Sequence, residues 1–192
     1  MWLFASCVHT SFLLAILGLA VTSVTIVLYT ADLHELLGMT GLLQYRKTLA
    51  FYALAGLFLG LLLAWLYKRV AGLPLVQGLL TLSALVAPAI GMTEEIVFRG
   101  FIQGAAGKKS ALLGITIAAA SHSVYKLLVI ASFPVSLNIN LYYLVGFTFA
   151  GGLLFGWLRW KAINIIPAML AHAIFDILIY GHLHALPVWV WG

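Results

Sequence analysis

Apolar residues do not alternate with polar ones along this chain. They come in long blocks separated by short polar punctuation. Residues 10–31, 48–67, 110–131, 140–158 and 163–180 each form a block close to the ~20 residues a helix needs to cross a hydrocarbon core about 30 Å thick. The block at 75–106 is longer. As one straight helix it would reach about 48 Å, and Pro88 and Gly91 interrupt it, which predicts a kink or break there. The pattern thus predicts an all-α, polytopic membrane bundle of about six transmembrane helices, since a membrane barrel reads as short alternating segments instead. Residues 32–47 are more polar and are predicted to lie along the interface. The tail from Gly181 carries Trp189 and Trp191, suited to a membrane–water boundary.

Composition strengthens this reading. The chain is 64% hydrophobic and 8% charged, against about 25% charged in soluble domains. One membrane domain over 1–192 is expected, with a two-helix N-terminal extension at about 10–67 and the chemistry at about 75–180. The net charge of +5 is spread in short cationic pairs between apolar blocks, which fits topology signals and excludes a nucleic-acid stripe. With six crossings, Arg46, Lys47, Lys108, Lys109, Arg159 and Lys161 fall on one side, which the positive-inside rule makes cytoplasmic, with both termini outside. Lys68 and Arg69 fall on the other side and run against the rule. No Lys or Arg precedes the first block, so it is expected to be a retained span rather than a cleaved leader. The single Cys7 cannot form an internal disulfide.

Against this background the charges inside the blocks stand out. Of five acidic residues, Glu94 and Glu95 sit side by side in an apolar run with Arg99, and Asp176 lies in another. Each intramembrane charge costs roughly 2.5–3.5 kcal/mol on insertion scales, so two Glu and one Arg left unpaired would cost on the order of 10 kcal/mol. They must be paired, neutralised or hydrated. Counted at helical rise from the cytoplasmic ends, Glu94 and Glu95 lie roughly 18–20 Å deep, His122 about 18 Å, His172 about 14 Å and Asp176 about 20 Å. Three helices thus bring titratable groups to one level. Glu95 and Arg99 are spaced i, i+4 in the favourable order, which leaves Glu94 without a cation on its own helix. His172 and Asp176 share the same spacing.

Other polar residues have plainer readings. Lys126 is expected to snorkel to the outer surface. His182 and His184 are read as surface residues, and His9, His34 and Glu35 as interface residues. Gly56/Gly60, Gly100/Gly104 and Gly152/Gly156 have the spacing of close helix contacts.

At these residues the chain resembles the CPBP family of intramembrane proteases, which includes the CaaX-processing type II endopeptidases and the bacterial Abi proteins. The family motif Glu-Glu-x-x-x-Arg is matched by Glu94, Glu95 and Arg99. The motif Phe-x-x-x-His is matched at His122 only, because Ala118 replaces the Phe. The motif His-x-x-x-Asn/Asp is matched by His172 and Asp176. The resemblance spans about 75–180, and includes the stretches from Asn164 to His172 and from Gly151 to Trp157.

The resemblance implies hydrolysis of a peptide bond in a membrane-associated or lipid-anchored substrate, in a prokaryotic plasma membrane. In the glutamate-type mechanism that it implies, Glu94 and His122 activate water, His172 and Asp176 hold the oxyanion, and Glu95 and Arg99 order the site. Ionised Asp176 cannot donate a hydrogen bond as an Asn would, so it must be protonated, or orient His172, or bind metal. A metal-free site with no cofactor is favoured. The alternative places zinc on His122, His172 and Glu94 or Glu95, with the other Glu as base. Two further classes stay open, a non-catalytic scaffold or immunity protein and an ion- or proton-coupled transporter, although no inverted repeat is visible.

Overall fold

The computed structural model describes residues 33–44, 46–75, 78–131, 140–187 and 190. The expected first span at 10–31 and the boundary tryptophans Trp189 and Trp191 lie outside the described residues. Helices are α1 (Leu33–Thr40), α2 (Leu49–Val70), α3 (Ser83–Glu95), a π-helical segment (Ile96–Ile102), α4 (Gln103–Ala106), α5 (Ala111–Ala131), α6 (Leu141–Ala162) and α7 (Ile166–Tyr180). There is no strand among the described residues. Three helices are long and apolar enough to cross a membrane, α2, α5 through Ile130, and α6, and α7 is a shorter apolar helix.

α7 is the hub. It packs against α2 on one side and α3 on another, and α6 bridges it to α5. α2 buries Gly56, Gly60, Leu63 and Ala64. It leaves Phe51, Leu54, Phe58 and Trp65 on the outside, the arrangement expected of a helix with lipid on one face. Lipid tails are as apolar as leucine, so contact between such helices depends on close packing. Gly56 and Gly60 provide it. A Cβ on Gly60 would sit 3.0 Å from Ile174 Cβ and 3.1 Å from the Ala171 carbonyl carbon, and one on Gly56 would meet the Pro167 backbone at 3.0–3.2 Å.

The acidic rod begins at Ser83, not at residue 75. From there to Ala106 it measures about 36 Å at α-helical rise, enough for one tilted crossing. Helical structure passes through Pro88 and Gly91, and the change of helix type comes beyond the acidic pair, at Ile96, rather than at Pro88–Gly91. Thr81 ties the start of the rod to the end of α7, its hydroxyl donating to the Leu183 and Gly181 carbonyls and its N–H to Gly181.

The turn between α6 and α7 is anchored to α1. α6 ends at Ile163 in the left-handed conformation (φ 53°), a position glycine usually takes. Asn164 follows, donating from Nδ2 to the Gly41 carbonyl (2.8 Å) and accepting from the Ile166 N–H (2.9 Å). The Ile165 N–H donates to the Thr40 carbonyl, and Arg159 to that of Met39. Gly41 itself has φ 76° and lies against the Ile163–Asn164 backbone. The dissenting cations find uses here too. Lys68 is buried and donates to the Leu75 carbonyl at 3.0 Å, closing the α2–α3 connection. Arg69 stacks over Trp65.

The glycine contact is testable. Gly60→Ala should lower the thermal unfolding midpoint in detergent by roughly 2–10 °C, from an overpacking cost of about 1–3 kcal/mol. Gly38→Ala, whose Cβ meets nothing within 4 Å, should not lower it.

Candidate active site

All six residues singled out in the sequence converge. Glu94 and Glu95 close α3 and are fully buried. Consecutive residues on a helix diverge by about 100°, so the two carboxylates face different neighbours. Glu94 turns to α5, where His122 Nε2 lies 3.0 Å from its Oε2. Glu95 turns to α7, where His172 Nδ1 lies 2.9 Å from its Oε1. Arg99 pairs with Glu95 on the same helix, Nε to Oε2 at 3.3 Å, a contact of charges rather than an aligned hydrogen bond. His172 Nε2 stands 3.8 Å from Glu94 Oε2 and 3.7 Å from Asp176 Oδ2. It is the atom that both carboxylates approach.

The tautomer of His122 follows from its partners. Arg99 Nη1 is 3.0 Å from His122 Nδ1, and a guanidinium can only donate. Nδ1 is therefore the acceptor, the proton resides on Nε2, and Nε2 donates to Glu94. Both ring nitrogens are engaged, and the ring is stacked on Phe98 (4.5 Å between centroids, 22° between planes). Ala118, one turn before His122 on α5, is buried, and the aromatic face on His122 comes from the π-helical segment. His172, whose Nδ1 is held by Glu95, turns Nε2 toward the cavity.

Lys126 corrects the sequence reading. It does not snorkel outward but is buried, 9% exposed, and its Nζ donates to Glu94 Oε1. It lies one turn past His122 on α5, so the two side chains reach Glu94 together, one on each oxygen. The i, i+4 spacing from His122 was the available signal. Ser123, part of the polar stretch around His122, satisfies itself on the Ala119 carbonyl. His184 is exposed and His182 half-buried, near the chain's end, and His34 and Glu35 are exposed on α1.

Three glycines give the polar groups room. A Cβ on Gly91 would collide with Asp176 Oδ2 and come within 2.9 Å of the His172 ring. Gly91, expected to interrupt the helix, instead lets α3 approach α7 where the chemistry lies. On α6, a Cβ on Gly152 would come within 3.0 Å of Arg99 Nη2, and one on Gly156 within 3.0 Å of Gln103 Oε1. The Gly152/Gly156 pair therefore seats two polar side chains of the rod as well as bringing helices together. Gln103 completes the contact by donating to the Gly156 carbonyl at 2.8 Å.

The site opens into a cavity of about 90 Å³, room for several water molecules. Glu94, Lys126, His172 and Asp176 line its polar side. Leu63 and Tyr67 from α2, Phe147 and Phe155 from α6, and Phe175 from α7 form its apolar wall. Tyr67 makes edge contacts with both Phe147 and Phe175. α2 thus contributes to the site although it precedes the region that carries the motifs.

Neither a curated protein sequence nor a solved structure gives a match to this chain. A family model does. Residues 74–178 match the one described as "Type II CAAX prenyl endopeptidase Rce1-like". The matched stretch takes in Glu94, Glu95, Arg99, His122, His172 and Asp176, and it is more than half of the chain. A helical bundle with membrane-length apolar helices and a buried acid–histidine cluster beside a cavity is what a peptide hydrolase working in a membrane requires, and the chain belongs to this Rce1-like family of CAAX endopeptidases.

Proposed function

We propose that this protein hydrolyses a peptide bond near the C-terminus of a lipid-anchored peptide, with Glu94 as the base that activates water. The observation that carries the reading is the placement of Glu94. It is a buried carboxylate, held by donors from another helix, at the edge of a cavity that holds water-sized space. Each carboxylate oxygen has two lone pairs. With one contact to His122 and one to Lys126, Glu94 keeps acceptor capacity for a water on the cavity side. Transfer of that water's proton to Glu94 leaves hydroxide to attack the scissile carbonyl. The proton then passes to the leaving amine.

His122 serves this step indirectly. With Nδ1 on Arg99 and Nε2 on Glu94, it orients the base. The charge developing on the carbonyl oxygen needs a donor aimed from the opposite side. His172 Nε2 and Asp176 line the cavity and are the groups suited to that role, and Glu95 fixes the His172 ring through Nδ1. Arg99 holds Glu95 and His122 in register. The aromatic wall of Tyr67, Phe147 and Phe175 suits an isoprenoid chain, the substituent named in the family's description.

The donor set weighs against zinc on His122, His172 and a glutamate. His122 has no free ring lone pair, since Nδ1 accepts from Arg99 and Nε2 is protonated toward Glu94. A guanidinium and an ammonium already stand among the groups that would ligate the ion. Among the described residues, no three His, Cys, Asp or Glu side chains converge as a metal ion needs. We favour hydrolysis without a metal.

Three outcomes test the proposal. Purified, folded Glu94→Gln should lose at least about 10²-fold in kcat on a quenched fluorescent farnesyl-Cys-a-a-X peptide. A wild-type rate would remove Glu94 from its role. The wild-type rate should survive dialysis against a zinc chelator. Gly91→Ala, which pushes Asp176 and the His172 ring aside, should lower kcat by about 10-fold or more, since small misplacements of reacting groups are costly.

A further inference from the structure

We propose that Lys126 is a positioning residue of the hydrolysis, the cation that keeps Glu94 ionised and sets the plane of its carboxylate. This rests on the reading of Glu94 as the base. A lysine near a helix end ordinarily extends its ammonium to water. This one turns inward, where its charge is expensive, and the contact that offsets the cost is Glu94 Oε1. No cation on the rod reaches Glu94, because Arg99 is taken by Glu95 and His122. Among the described residues, the other hydrogen-bond donor to Glu94 is the Nε2–H of His122 at 3.0 Å, from a ring that Arg99 holds in its neutral form, while His172 Nε2 stands off at 3.8 Å. Without Lys126, the close donors to an ionised Glu94 among the described residues would fall to the neutral His122, with the His172 ring 3.8 Å away. A buried carboxylate so placed takes up a proton rather than remain charged, and a protonated carboxyl cannot accept one from water. His122 and Lys126 project from one face of α5, one to each oxygen. They therefore fix the plane of the carboxylate and point its remaining lone pairs at the cavity.

Such a residue acts through Glu94 rather than on the peptide bond itself, so its loss should appear in turnover and not in binding. On the farnesyl-Cys-a-a-X peptide, Lys126→Met should lower kcat by about 10²-fold or more with KM within about twofold of wild type. Lys126→Arg, which keeps a charged donor on the same stem, should recover kcat to within about tenfold. Lys126→Gln, a neutral donor of similar reach, should behave as Met does, and it replaces Met if that variant does not fold. Wild-type kcat in a folded Lys126→Met or Lys126→Gln protein would overturn the proposal. So would equal losses in the Arg and neutral variants, or a loss confined to KM. Glu94→Gln measured beside them separates two failures. If it too is fully active, the assignment of the base is wrong. If it is inactive while Lys126→Met is unimpaired, only the role of Lys126 falls.

Discussion

An ionised carboxylate cannot stay in an apolar bundle without donors, and the rod that carries Glu94 and Glu95 supplies only one cation, Arg99. The remaining partners come from elsewhere, His122 and Lys126 from α5 and His172 from α7. This constraint does more than balance charge. Helices in lipid have little hydrophobic reason to choose one neighbour or one depth over another. A buried acid bonded at 3 Å to a histidine on the next helix sets both. The network fixes the relative height of α3, α5 and α7, and the glycines at 60, 91, 152 and 156 let the backbones come close enough for it to close. The groups proposed to do the chemistry also specify the packing, so the candidate site and the bundle are not separable designs.

The π-helical segment belongs to the same logic. An α-helix at the edge of a bundle buries a stripe, whereas Val97, Phe98, Arg99 and Gly100 are buried in succession. The rod is enclosed on several sides there, by α1, α5 and α6. Three side chains and a glycine in succession must find places among three neighbours. Phe98 goes to His122, Arg99 to the gap left by Gly152, and Gly100 faces Thr40. A turn wound wider than α shifts the angular register of these residues against the α-helical turns on either side, and such turns are frequent at functional sites.

How much of this the sequence discloses depends on the range of the interaction. Glu95–Arg99 and His172–Asp176 are pairs within one helix, so helical periodicity alone brings them together, and a shared depth calculation brings the three helices to one level. Contacts between helices need the rotation of each helix about its axis, which block length and hydropathy do not supply. The usual behaviour of lysines near helix ends points Lys126 to the surface. Its spacing from His122 already placed it on the face toward Glu94. Gly91 was read as a backbone interruption, where its importance is the absent Cβ opposite Asp176. The rod's start at Ser83 was hidden because residues 75–82 are as apolar as a helix would be, and only the Thr81 bonds to Gly181 and Leu183 show why the chain turns there.

On the proposed reading, the charge count bears on the aspartate that stands where an asparagine would donate. Glu94, Glu95 and Asp176 exceed Arg99 and Lys126 by one negative charge. An uncompensated buried charge is costly, so the cluster favours one further proton. Arg99 holds His122 neutral and Lys126 caps Glu94, which leaves His172 and Asp176 to carry it. On His172 the proton sits at Nε2, since Nδ1–H is committed to Glu95. On Asp176 it makes a hydroxyl 3.7 Å away, beside the same ring nitrogen. Either location would set a hydrogen-bond donor on the cavity lining near Glu94. The extra acid at 176 therefore does not remove the donor an oxyanion needs. It supplies the reason for a proton to be there.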